Sequence, residues 1–420
     1  MAGSRRRIAV IGSGVAGLTA AYVLQRECDV TLFEADDRVG GRAHTHDVVD
    51  DGRILAVESG FPVHNDRACP RLVRLFRELG VRTREAEMSL SVRCLGCGLE
   101  YAGGKGPAGW FARPANTTRP AFLGLLSQIP RFRRLAQRHA RHGSPVETLG
   151  GFLKRYAFSR YFADHFAVPL VSAFWSCGPG RVLDHPARFL FTFLVNHGAL
   201  SFSDRQWRTV AGGSRSYVDL VTKRLHSVRT GDPVRSVTRH PDGVRIRDSL
   251  GSPADYDGVV MATHAPQALR MLTDSTERER RVLGAFRYEH NIALLHTDAS
   301  VLPRRARANS NLVLPACRVG GVATSGPRVS HDLNRIQRLD ANQRYVVTLN
   351  DVAAVDPAAV IERIVCEHPL YTVESVAAQR LLPSLNDGRT AFAGAYHGWG
   401  FPEDGCRSGV AAAAALGVRW

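Results

Sequence analysis

The stretch that decides the fold is IAVIGSGVAG, residues 8–17. Four β-favouring residues lead into glycines at the G-x-G-x-x-G spacing, and an apolar run of helical character continues to residue 25. A second β-type run, VTLF at residues 30–33, ends in Glu34. This order predicts a strand, a glycine turn, a helix and a second parallel strand, which is the start of a doubly wound α/β fold.

Each glycine of this turn has a physical role. Gly12 permits the tight turn, Gly14 lets a pyrophosphate approach the backbone, and Gly17 allows the helix to pack closely on the strand. The free amides of the helix N-terminus then favour phosphate groups. Glu34 would accept hydrogen bonds from a ribose hydroxyl and repel a 2′-phosphate, so NAD or FAD is favoured over NADP. The predicted dinucleotide contacts are Gly12, Ser13, Gly14, Val15, Ala16, Gly17, Glu34 and Ala35.

The next segment, DDRVGGRAHT at residues 36–45, distinguishes FAD from NAD. An acidic residue followed by R-x-G-G-R resembles the signature of the flavin-dependent amine oxidase superfamily, which includes phytoene desaturases and protoporphyrinogen oxidases. The resemblance implies non-covalent FAD, with Gly40, Gly41 and Arg42 along the diphosphate and towards the flavin. It also implies an amine-oxidase-like α/β fold, in which a Rossmann-type, GR2-like FAD-binding domain is interleaved with an α+β substrate domain.

Three later segments resemble further parts of the same superfamily. AGGS at residues 211–214 precedes an amphipathic helix and a short strand, and DGVVMAT at 257–263 is an apolar strand entering a turn. AFAGAY at 391–396 and EDGCRSG at 403–409 resemble the closing flavin motif. A helix beginning near Asp404 would direct its amides and positive dipole end at the flavin. The resemblance assigns cofactor contacts to Val234, Gly394, Asp404 and Gly405.

A bacterial branch of FAD-dependent oxidoreductases resembles the chain in three more places. These are GFPVHN at residues 60–65, MSLSV at 88–92 and HTD at 296–298. The resemblance adds Gly60 and Phe61 to the implied cofactor contacts. Some members of this branch are associated with the modification of membrane fatty-acyl chains, which is a hint from the family alone.

The motifs divide the chain into two predicted domains. The FAD-binding domain is expected to comprise residues 1–65, 206–275 and 386–420. The two inserts between these pieces, residues 66–205 and 276–385, are expected to fold together as the substrate domain. Inserts that interrupt the motifs of one domain therefore predict a second, interleaved domain.

The first insert is predicted to be largely helical. Leucine or phenylalanine at positions 72, 75, 76 and 79 has helical spacing, and Gly80 is expected to end that helix. Residues 152–175 carry eight aromatic side chains. This density indicates a core, with the lining of an apolar tunnel as the alternative.

The charge is the unusual feature of the composition. The 420 residues are 44% hydrophobic and 22% charged, with a formal net charge of +16 that is carried almost entirely by arginine. An anionic membrane surface or an acidic carrier protein is compatible with this field. The densest basic segment, residues 131–142, resembles a membrane-surface helix, and a solvated helix face is the alternative. Nucleic-acid binding is not expected, because no recognised nucleic-acid module accompanies the charge.

The apolar runs and the cysteines also limit the function. No uncharged apolar run reaches the ~18 residues of a membrane span, so we expect a cytoplasmic protein that associates with membranes at most peripherally. Cys94 and Cys97 have redox or half-zinc spacing without a second pair and are predicted to be inert. His44 and His46 alternate without an evident third ligand, and no metal site is expected. The oligomeric state stays open.

Two features of the amine oxidases in the superfamily are missing. Those enzymes use a lysine in the later half of the chain and a tyrosine just before the last motif, whereas here no lysine follows Lys223 and Phe401 stands at the tyrosine position. An apolar pocket without this cage favours a hydrophobic substrate. His397, His64 and Tyr396 are the candidate acid or base groups, and a structural role is the alternative for each.

Together these observations predict an FAD-dependent oxidoreductase. Its expected reaction is the desaturation, oxidation or isomerisation of a hydrophobic substrate such as an acyl chain, a polyene or an isoprenoid-like metabolite. A flavin amine oxidase of secondary metabolism is the first alternative. A non-enzymatic prenyl- or lipid-binding escort protein of the same fold is the second, although the intact glycine triad and R-x-G-G-R run disfavour it. The substrate and the electron acceptor stay open.

Overall fold

The computed structural model describes residues 5–60, 63–104, 106–175, 179–200, 207–249, 251, 253–303, 305, 308, 310–315 and 327–420. The strands within these residues are β1 (Arg6–Ile11), β2 (Cys28–Phe33), β3 (Thr45–Asp50), β4 (Arg53–Glu58), β5 (His64–Asn65), β6 (Thr83–Glu85), β7 (Leu90–Cys94), β8 (Glu100–Gly103), β9 (Trp207–Val210), β10 (Ser227–Arg229), β11 (Ser236–His240), β12 (Gly243–Arg247), β13 (Pro253–Tyr256), β14 (Gly258–Met261), β15 (Arg287–His296), β16 (Ser310–Leu314), β17 (Arg328–Asp332), β18 (Val346–Leu349), β19 (Val360–Leu370) and β20 (Thr390–Phe392).

The α-helices of the described residues are α1 (Val15–Leu24), α2 (Pro70–Leu79), α3 (Gly106–Trp110), α4 (Pro120–His142), α5 (Leu149–Arg155), α6 (Arg160–Phe162), α7 (Val168–Trp175), α8 (Pro179–Leu183), α9 (Ala187–Asn196), α10 (Arg215–Thr222), α11 (Ala265–Met271), α12 (Glu277–Leu283), α13 (Leu333–Ile336), α14 (Val373–Gln379) and α15 (Pro402–Ala415).

A five-stranded parallel sheet of order β10-β2-β1-β14-β20 forms the centre of the fold. All four residues of β14 are buried, as expected for a parallel strand that is covered on both faces. Helices α1, α2, α10 and α15 pack on one face, and the antiparallel sheet β11-β12-β13 with α11 and α12 packs on the other. The predicted Rossmann-type α/β fold is therefore confirmed, and its ligand edge lies at the carboxyl ends of β1, β2 and β14.

The predicted ends of several elements differ from the observed ends by a few residues. The helix after AGGS begins at Arg215, and the closing helix begins at Pro402, ahead of the predicted Asp404. Gly80 ends α2 in a left-handed conformation, with φ of 73°, as its position predicted.

A seven-stranded mixed sheet joins the two inserts of the sequence. Its order is β19-β15-β18-β17-β16-β7-β8, and β7 of the first insert pairs in parallel with β16 of the second. Leu312 lies opposite Val92 in this register. Long-range strand pairing of this kind holds the inserts in one unit.

Helix α2 packs in a different place from the one that the domain boundaries suggest. Leu75 and Phe76 of α2 belong to the same buried core as Leu18 of α1 and Val218 of α10. The sequence analysis assigned α2 to the substrate insert, yet its apolar face covers the dinucleotide-binding half. The division into two domains stays a prediction.

Aromatic rings form the core of the helical insert. Phe132 of α4 is 1% exposed and lies between the rings of Phe152, Phe162 and Phe191, with centroid distances of 6.1, 5.4 and 5.6 Å. Edge-to-face and tilted pairs at these distances are the stable arrangements of aromatic side chains. Phe152 and Phe162 of the aromatic-rich stretch, residues 152–175, thus belong to a packed core.

Not one helix of the described residues has both the length and the apolar composition that a bilayer crossing requires.

Candidate functional site

The turn between β1 and α1 brings helix and strand into contact. Gly12 has φ of 98°, and its N–H donates to the carbonyl of Phe33 at 2.8 Å. A Cβ at Gly17 would overlap the carbonyl oxygen of Gly12. At Gly14, by contrast, an added Cβ would meet no atom within 4 Å. Packing alone requires glycine at 12 and 17, whereas Gly14 borders open space where a diphosphate fits.

The R-x-G-G-R loop lies directly against this turn. Gly41 has φ of 56°, and a Cβ added there would lie 3.1 Å from the Cα of Gly14. The N–H of Gly40 donates to the hydroxyl of Ser13 at 2.9 Å. Ser13 in turn donates its N–H and its hydroxyl to Oε2 of Glu34. The loop and the start of α1 therefore form one rigid cradle.

Glu34 has a structural role that the sequence did not predict. Its Oε2 is engaged by Ser13, and its Oε1 accepts the N–H of Asp36 at 3.0 Å. An ionised carboxylate oxygen accepts about two hydrogen bonds. Oε1 therefore keeps capacity for a ribose hydroxyl, so the predicted role and the observed one are compatible.

The segment that leads to Val234 lies beside Glu34. The N–H of Gly231 donates to the carbonyl of Asp36 at 2.7 Å, and the N–H of Asp232 donates to that of Glu34 at 3.0 Å. Val234 itself is 9% exposed and packs in the core below β11 and β12. Its role at an adenine ring, like that of the exposed Ala35, stays a prediction.

Helix α15 packs alongside α1 because two of its positions are glycine. A Cβ at Gly405 would lie 2.5 Å from Cγ1 of Val15, and one at Gly409 would overlap the carbonyl oxygen of Ala16. This register makes the two helices parallel, so their N-termini lie together. Each N-terminus carries a partial positive charge and free amides. The two helix N-termini together are suited to a ligand that carries several negative charges.

Asp404 organises the turn in front of α15. Its carboxylate accepts the N–H groups of Trp399 at 2.9 Å and Phe401 at 3.2 Å, and Arg407 donates to it at 2.8 Å. Burial raises the pKa of Asp404 to about 6, although Arg407 and the two amides oppose the shift. Gly398 is required because a Cβ there would overlap the Asp404 carboxylate. The observed role of Asp404 is thus to shape the turn.

Two polar atoms in this turn are buried without a partner in the described part of the chain. They are the hydroxyl of Tyr396 and Nε2 of His397. Burial, assisted by the charge of Arg407, lowers the pKa of His397 to about 3. Burial raises the pKa of Tyr396 well above its ordinary value. Both groups are therefore neutral at pH 7, and unpaired buried groups of this kind point to a missing ligand.

Gly394 and His64 border the same region. The N–H of Gly394 donates to the hydroxyl of Ser408 on α15 at 2.9 Å. His64 lies edge-to-face on Phe76 at 5.3 Å, and burial lowers its pKa to about 4 despite the nearby Asp66. Together with Pro402, His64 lines a cleft beside the R-x-G-G-R loop. Phe61, the remaining predicted contact on this segment, lies outside the described residues.

Arg42 points its charge at this edge of the sheet. It is exposed and makes no hydrogen bond or ion pair with the described residues. Its backbone carbonyl lies so close to Gly60 that a Cβ at Gly60 would overlap it. The cation adds to the burial that lowers the pKa values of His264 and His368. A guanidinium available in this position suits a diphosphate or another anion.

Glu58 is a site residue that the sequence did not reveal. It is 2% exposed and accepts the N–H of His44 at 3.0 Å and the hydroxyl of Thr45 at 2.9 Å. It also accepts the N–H and the hydroxyl of Ser214 at 2.8 and 2.6 Å. This carboxylate therefore fastens the segment after R-x-G-G-R to the AGGS loop.

His264 belongs to a second group that the sequence did not reveal. It follows β14 at the carboxyl edge of the sheet, and its Nδ1 lies 2.6 Å from Glu367, which also contacts His290 at 2.9 Å. The His264 ring stacks on Tyr288 at 4.2 Å. No motif marked these residues, because His264 precedes α11 whereas its partners lie on β15 and β19, far along the chain.

Five aromatic side chains form a wall in front of α15. Phe401 stacks on Phe193 at 4.6 Å, and Trp175 contacts Phe193 at 4.7 Å. The indole N–H of Trp399 donates to the carbonyl of Phe189 at 3.1 Å. A small, mostly apolar cavity separates this wall from His64. We call Trp175, Phe189, Phe193, Trp399 and Phe401 the aromatic wall.

The structure places a third potential metal ligand, Glu362, beside His44 and His46. Glu362 lies 2.8 Å from Nδ1 of His46, next to His44, whose ring centroid is 3.9 Å from that of His46. Nε2 of His46 contacts the hydroxyl of Ser59 at 2.6 Å. Both nitrogens of His46 are thus already engaged, and hydrogen bonding accounts for the group.

The sequence of this chain matches a known protein family over most of its length. Residues 15–294, two thirds of the sequence, match the family described as "Flavin containing amine oxidoreductase". The chain belongs to the flavin-containing amine oxidoreductase family. Its cradle, two convergent helix N-termini and unpaired buried polar atoms fit a flavin cofactor.

The family's curated relatives match over short segments. Protoporphyrinogen oxidase 2 of Arabidopsis thaliana is 41% identical over 83 residues, covering 20% of this chain and 15% of the relative. Amine oxidase A of Equus caballus is 37% identical over 94 residues, covering 21% and 16%. The match thus spans only about a sixth of these relatives' length.

Two solved structures of the family's fold cover nearly the whole chain. The chain is similar to a putrescine oxidase with a TM-score of 0.68 at 14% identity, covering 98% of both chains. A CLA-producing fatty acid isomerase from P. acnes gives a TM-score of 0.70 at 17% identity, covering 96% of this chain and 97% of the isomerase. At these identities the likeness shows the fold.

Buried histidines make the stability sensitive to acid. Burial lowers the pKa values of His64 and His331 to about 4 and that of His397 to about 3. Below about pH 6.5 the unfolded chain binds protons that the folded chain excludes. We expect the free energy of unfolding to be unaffected by these groups above pH 6.5 and to fall by up to ~1.4 kcal/mol per pH unit for each histidine between pH 6.5 and 4.

Urea unfolding at pH 7, 6 and 5 measures this slope. His331→Asn should reduce it, whereas the same change at the exposed His142 should leave it unaltered. Equal slopes in the wild type and in His331→Asn would contradict the assignment.

Proposed function

We propose that the chain is an FAD-dependent oxidoreductase that acts on a long acyl chain by desaturation, oxidation or isomerisation, with FAD held non-covalently in the cradle. When bound, FAD supplies hydride transfer to and from a substrate C–H bond. The chain's own residues bind the acyl chain, exclude water and supply charge. The following observations support this proposal.

The aromatic wall carries the proposal. Phe401 presents a phenyl ring where amine oxidases of the superfamily have a tyrosine, and the ring stacks on Phe193. The indole N–H groups of Trp175 and Trp399 are both occupied by backbone carbonyls. Phe193 and Phe401 line the small, mostly apolar cavity beside His64, and ring surface of this kind suits hydrocarbon and keeps water out.

The charges of the site favour an anion over an amine. An alkylamine is a cation at pH 7, and a chain of net charge +16 repels it at long range. The buried carboxylates of Glu58 and Asp404 are occupied by hydrogen bonds, so neither offers a counter-ion to an ammonium group. A fatty-acid carboxylate fits this field better than an ammonium group.

Two polar groups near the wall, on Tyr396 and His397, are neutral at pH 7. The hydroxyl of Tyr396 can donate a hydrogen bond, and His397 is uncharged because its pKa is about 3. Neutral groups orient a substrate or a cofactor edge without attracting bulk water. The fatty acid isomerase shows that this fold accommodates such a substrate.

Anaerobic spectroscopy of the purified protein tests the proposal. We expect flavin absorption in the purified or FAD-supplemented protein, and bleaching or a band shift on adding linoleate but none with putrescine. If only the amine changes the spectrum, the amine oxidase alternative replaces ours. A protein that binds no FAD at all would support the escort alternative.

The basic segment of α4 supports a peripheral location at an anionic membrane, from which an acyl substrate would be drawn. Arg131 and Arg133 donate to the carbonyls of Tyr156 and Leu200, both at 2.7 Å, so part of the segment's charge holds the fold together. The exposed arginines that remain for a membrane are Arg134, Arg138 and Arg141.

Replacing Arg134, Arg138 and Arg141 with Gln tests this location. Each arginine near an anionic bilayer contributes ~1 kcal/mol, so we expect binding to phosphatidylserine vesicles to weaken on the order of a hundredfold in sedimentation assays. The matched control replaces Arg245, Arg247 and Arg270, which lie on other elements. Equal losses in both triple variants would indicate a general charge effect.

A further inference from the structure

We infer that Cys94, Cys97 and His165 bind a zinc ion in the helical insert, away from the flavin cradle. The ligand atoms of all three lie within 4.8 Å of one another. The C-x-x-C pair has no second cysteine pair in the sequence, and the histidine lies 68 residues after Cys97. The inference does not depend on the proposed function.

The β7–β8 hairpin presents the two cysteines. Cys94 ends β7, and its carbonyl accepts the N–H of Gly98 at 2.9 Å while its N–H donates to Leu99 at 2.8 Å. Gly98 has φ of 67°, which closes the turn tightly. No disulfide joins Cys94 to Cys97. A tight C-x-x-C turn of this type is one half of many zinc sites.

His165 presents its imidazole in the tautomer that a metal needs. Its Nδ1 lies 3.0 Å from the carbonyl oxygen of Tyr161. A carbonyl oxygen can only accept, so Nδ1 carries the proton and Nε2 presents a lone pair. Metal-binding histidines characteristically donate their second ring nitrogen in this way. Nε2 faces Sγ of Cys97 at 3.6 Å.

The 3.6 Å between Nε2 of His165 and Sγ of Cys97 fits the coordination of one zinc ion by both atoms. With Zn–S of about 2.3 Å and Zn–N of about 2.05 Å, tetrahedral ligands are separated by about 3.6 Å. A thiol-imidazole hydrogen bond involves only Cys97 and His165, whereas one metal ion would be bound by both sulfurs and the nitrogen together. Thiolate with imidazole selects zinc over magnesium or calcium.

The surroundings hold the ligands in place. Cys94 is 0% and His165 2% exposed. His165 lies on a π-helical turn, Ala163–Ala167, and its carbonyl accepts the hydroxyl of Tyr101 on β8 at 2.6 Å. Single π-helical turns within α-helices are frequent at functional sites. The ion would join the hairpin to the helical core through these three side chains, with a water molecule as its fourth ligand.

Elemental analysis of the purified full chain tests the inference. We expect about one zinc per chain after desalting, released when a mercurial titrates the thiols, as read with a zinc dye. Growth with cobalt should give the thiolate-to-cobalt charge-transfer band of a tetrahedral site. Cys97→Ser and His165→Gln should lower zinc content on the order of tenfold or more, whereas Cys366→Ser on β19 should retain it.

The outcomes are distinct. Wild-type protein without zinc and without cobalt-thiolate absorption overturns the inference, and so does a Cys94–Cys97 disulfide found by mass spectrometry. Zinc retained in Cys97→Ser also overturns it. If that variant does not fold, the mercurial and cobalt measurements on the wild type decide. Flavin content is measured in parallel, so a failure of the cofactor proposal is recognised separately.

Discussion

Gly14→Val should yield a folded protein that has lost its flavin. The Cβ position of Gly14 has no neighbour within 4 Å, so the substitution does not disturb the packing of α1. It does fill the space next to Gly41 that we assign to the diphosphate of the proposed FAD. Overpacking costs about 1–3 kcal/mol, and we therefore expect FAD affinity to fall on the order of ten- to a hundredfold.

The control for this change is Gly124→Val. Gly124 on α4 also has open space at its Cβ position and lies away from the cradle. FAD binding followed by flavin fluorescence quenching, with circular dichroism as the check on folding, compares the two variants. An unchanged affinity in Gly14→Val would show that the diphosphate lies elsewhere.

Glu58→Ala should be the most destabilising single change at the site. It removes a buried carboxylate and leaves five donors unsatisfied, from His44, Thr45, Gly60 and Ser214. Lost hydrogen bonds to a charged group cost about 1.5–3 kcal/mol each. We expect the free energy of unfolding to fall by about 3 kcal/mol or more, together with weaker FAD binding.

Urea unfolding measures this loss. Glu58→Gln keeps the shape and one acceptor oxygen, so its effect should be intermediate. Glu374→Ala, at an exposed position, should change stability by no more than ~0.5 kcal/mol. If Glu58→Ala unfolds at the wild-type urea concentration, the hydrogen-bond network does not contribute to stability.

The sequence predicted the parts of the fold that depend on local pattern. The strand-turn-helix unit at residues 8–25 was recognisable because glycine spacing and apolar periodicity lie within one short segment. Gly80 was recognisable for the same reason, since a left-handed helix end demands glycine. The start of α15 was predicted two residues too late, because Pro402 begins a helix as readily as the acidic residues after it.

The remaining site residues depend on long-range contacts. Glu58 meets Ser214 across 156 residues, and His264 meets Glu367 across 103. Neither pairing leaves a periodic trace in the sequence. The assignment of α2 was similarly beyond reach, because an amphipathic helix does not reveal which core its apolar face will cover. Only the strand order of the sheets brings these groups together.

The packing of α15 on α1 has a consequence for how the protein is made. On the ribosome, α1 (Val15–Leu24) emerges long before its partner α15 (Pro402–Ala415). Until then, the surfaces of Val15 and Ala16 that pack against Gly405 and Gly409 are uncovered. Contacts between such remote segments form late. A ligand that needs both helix N-termini therefore binds only after α15 has emerged and packed on α1.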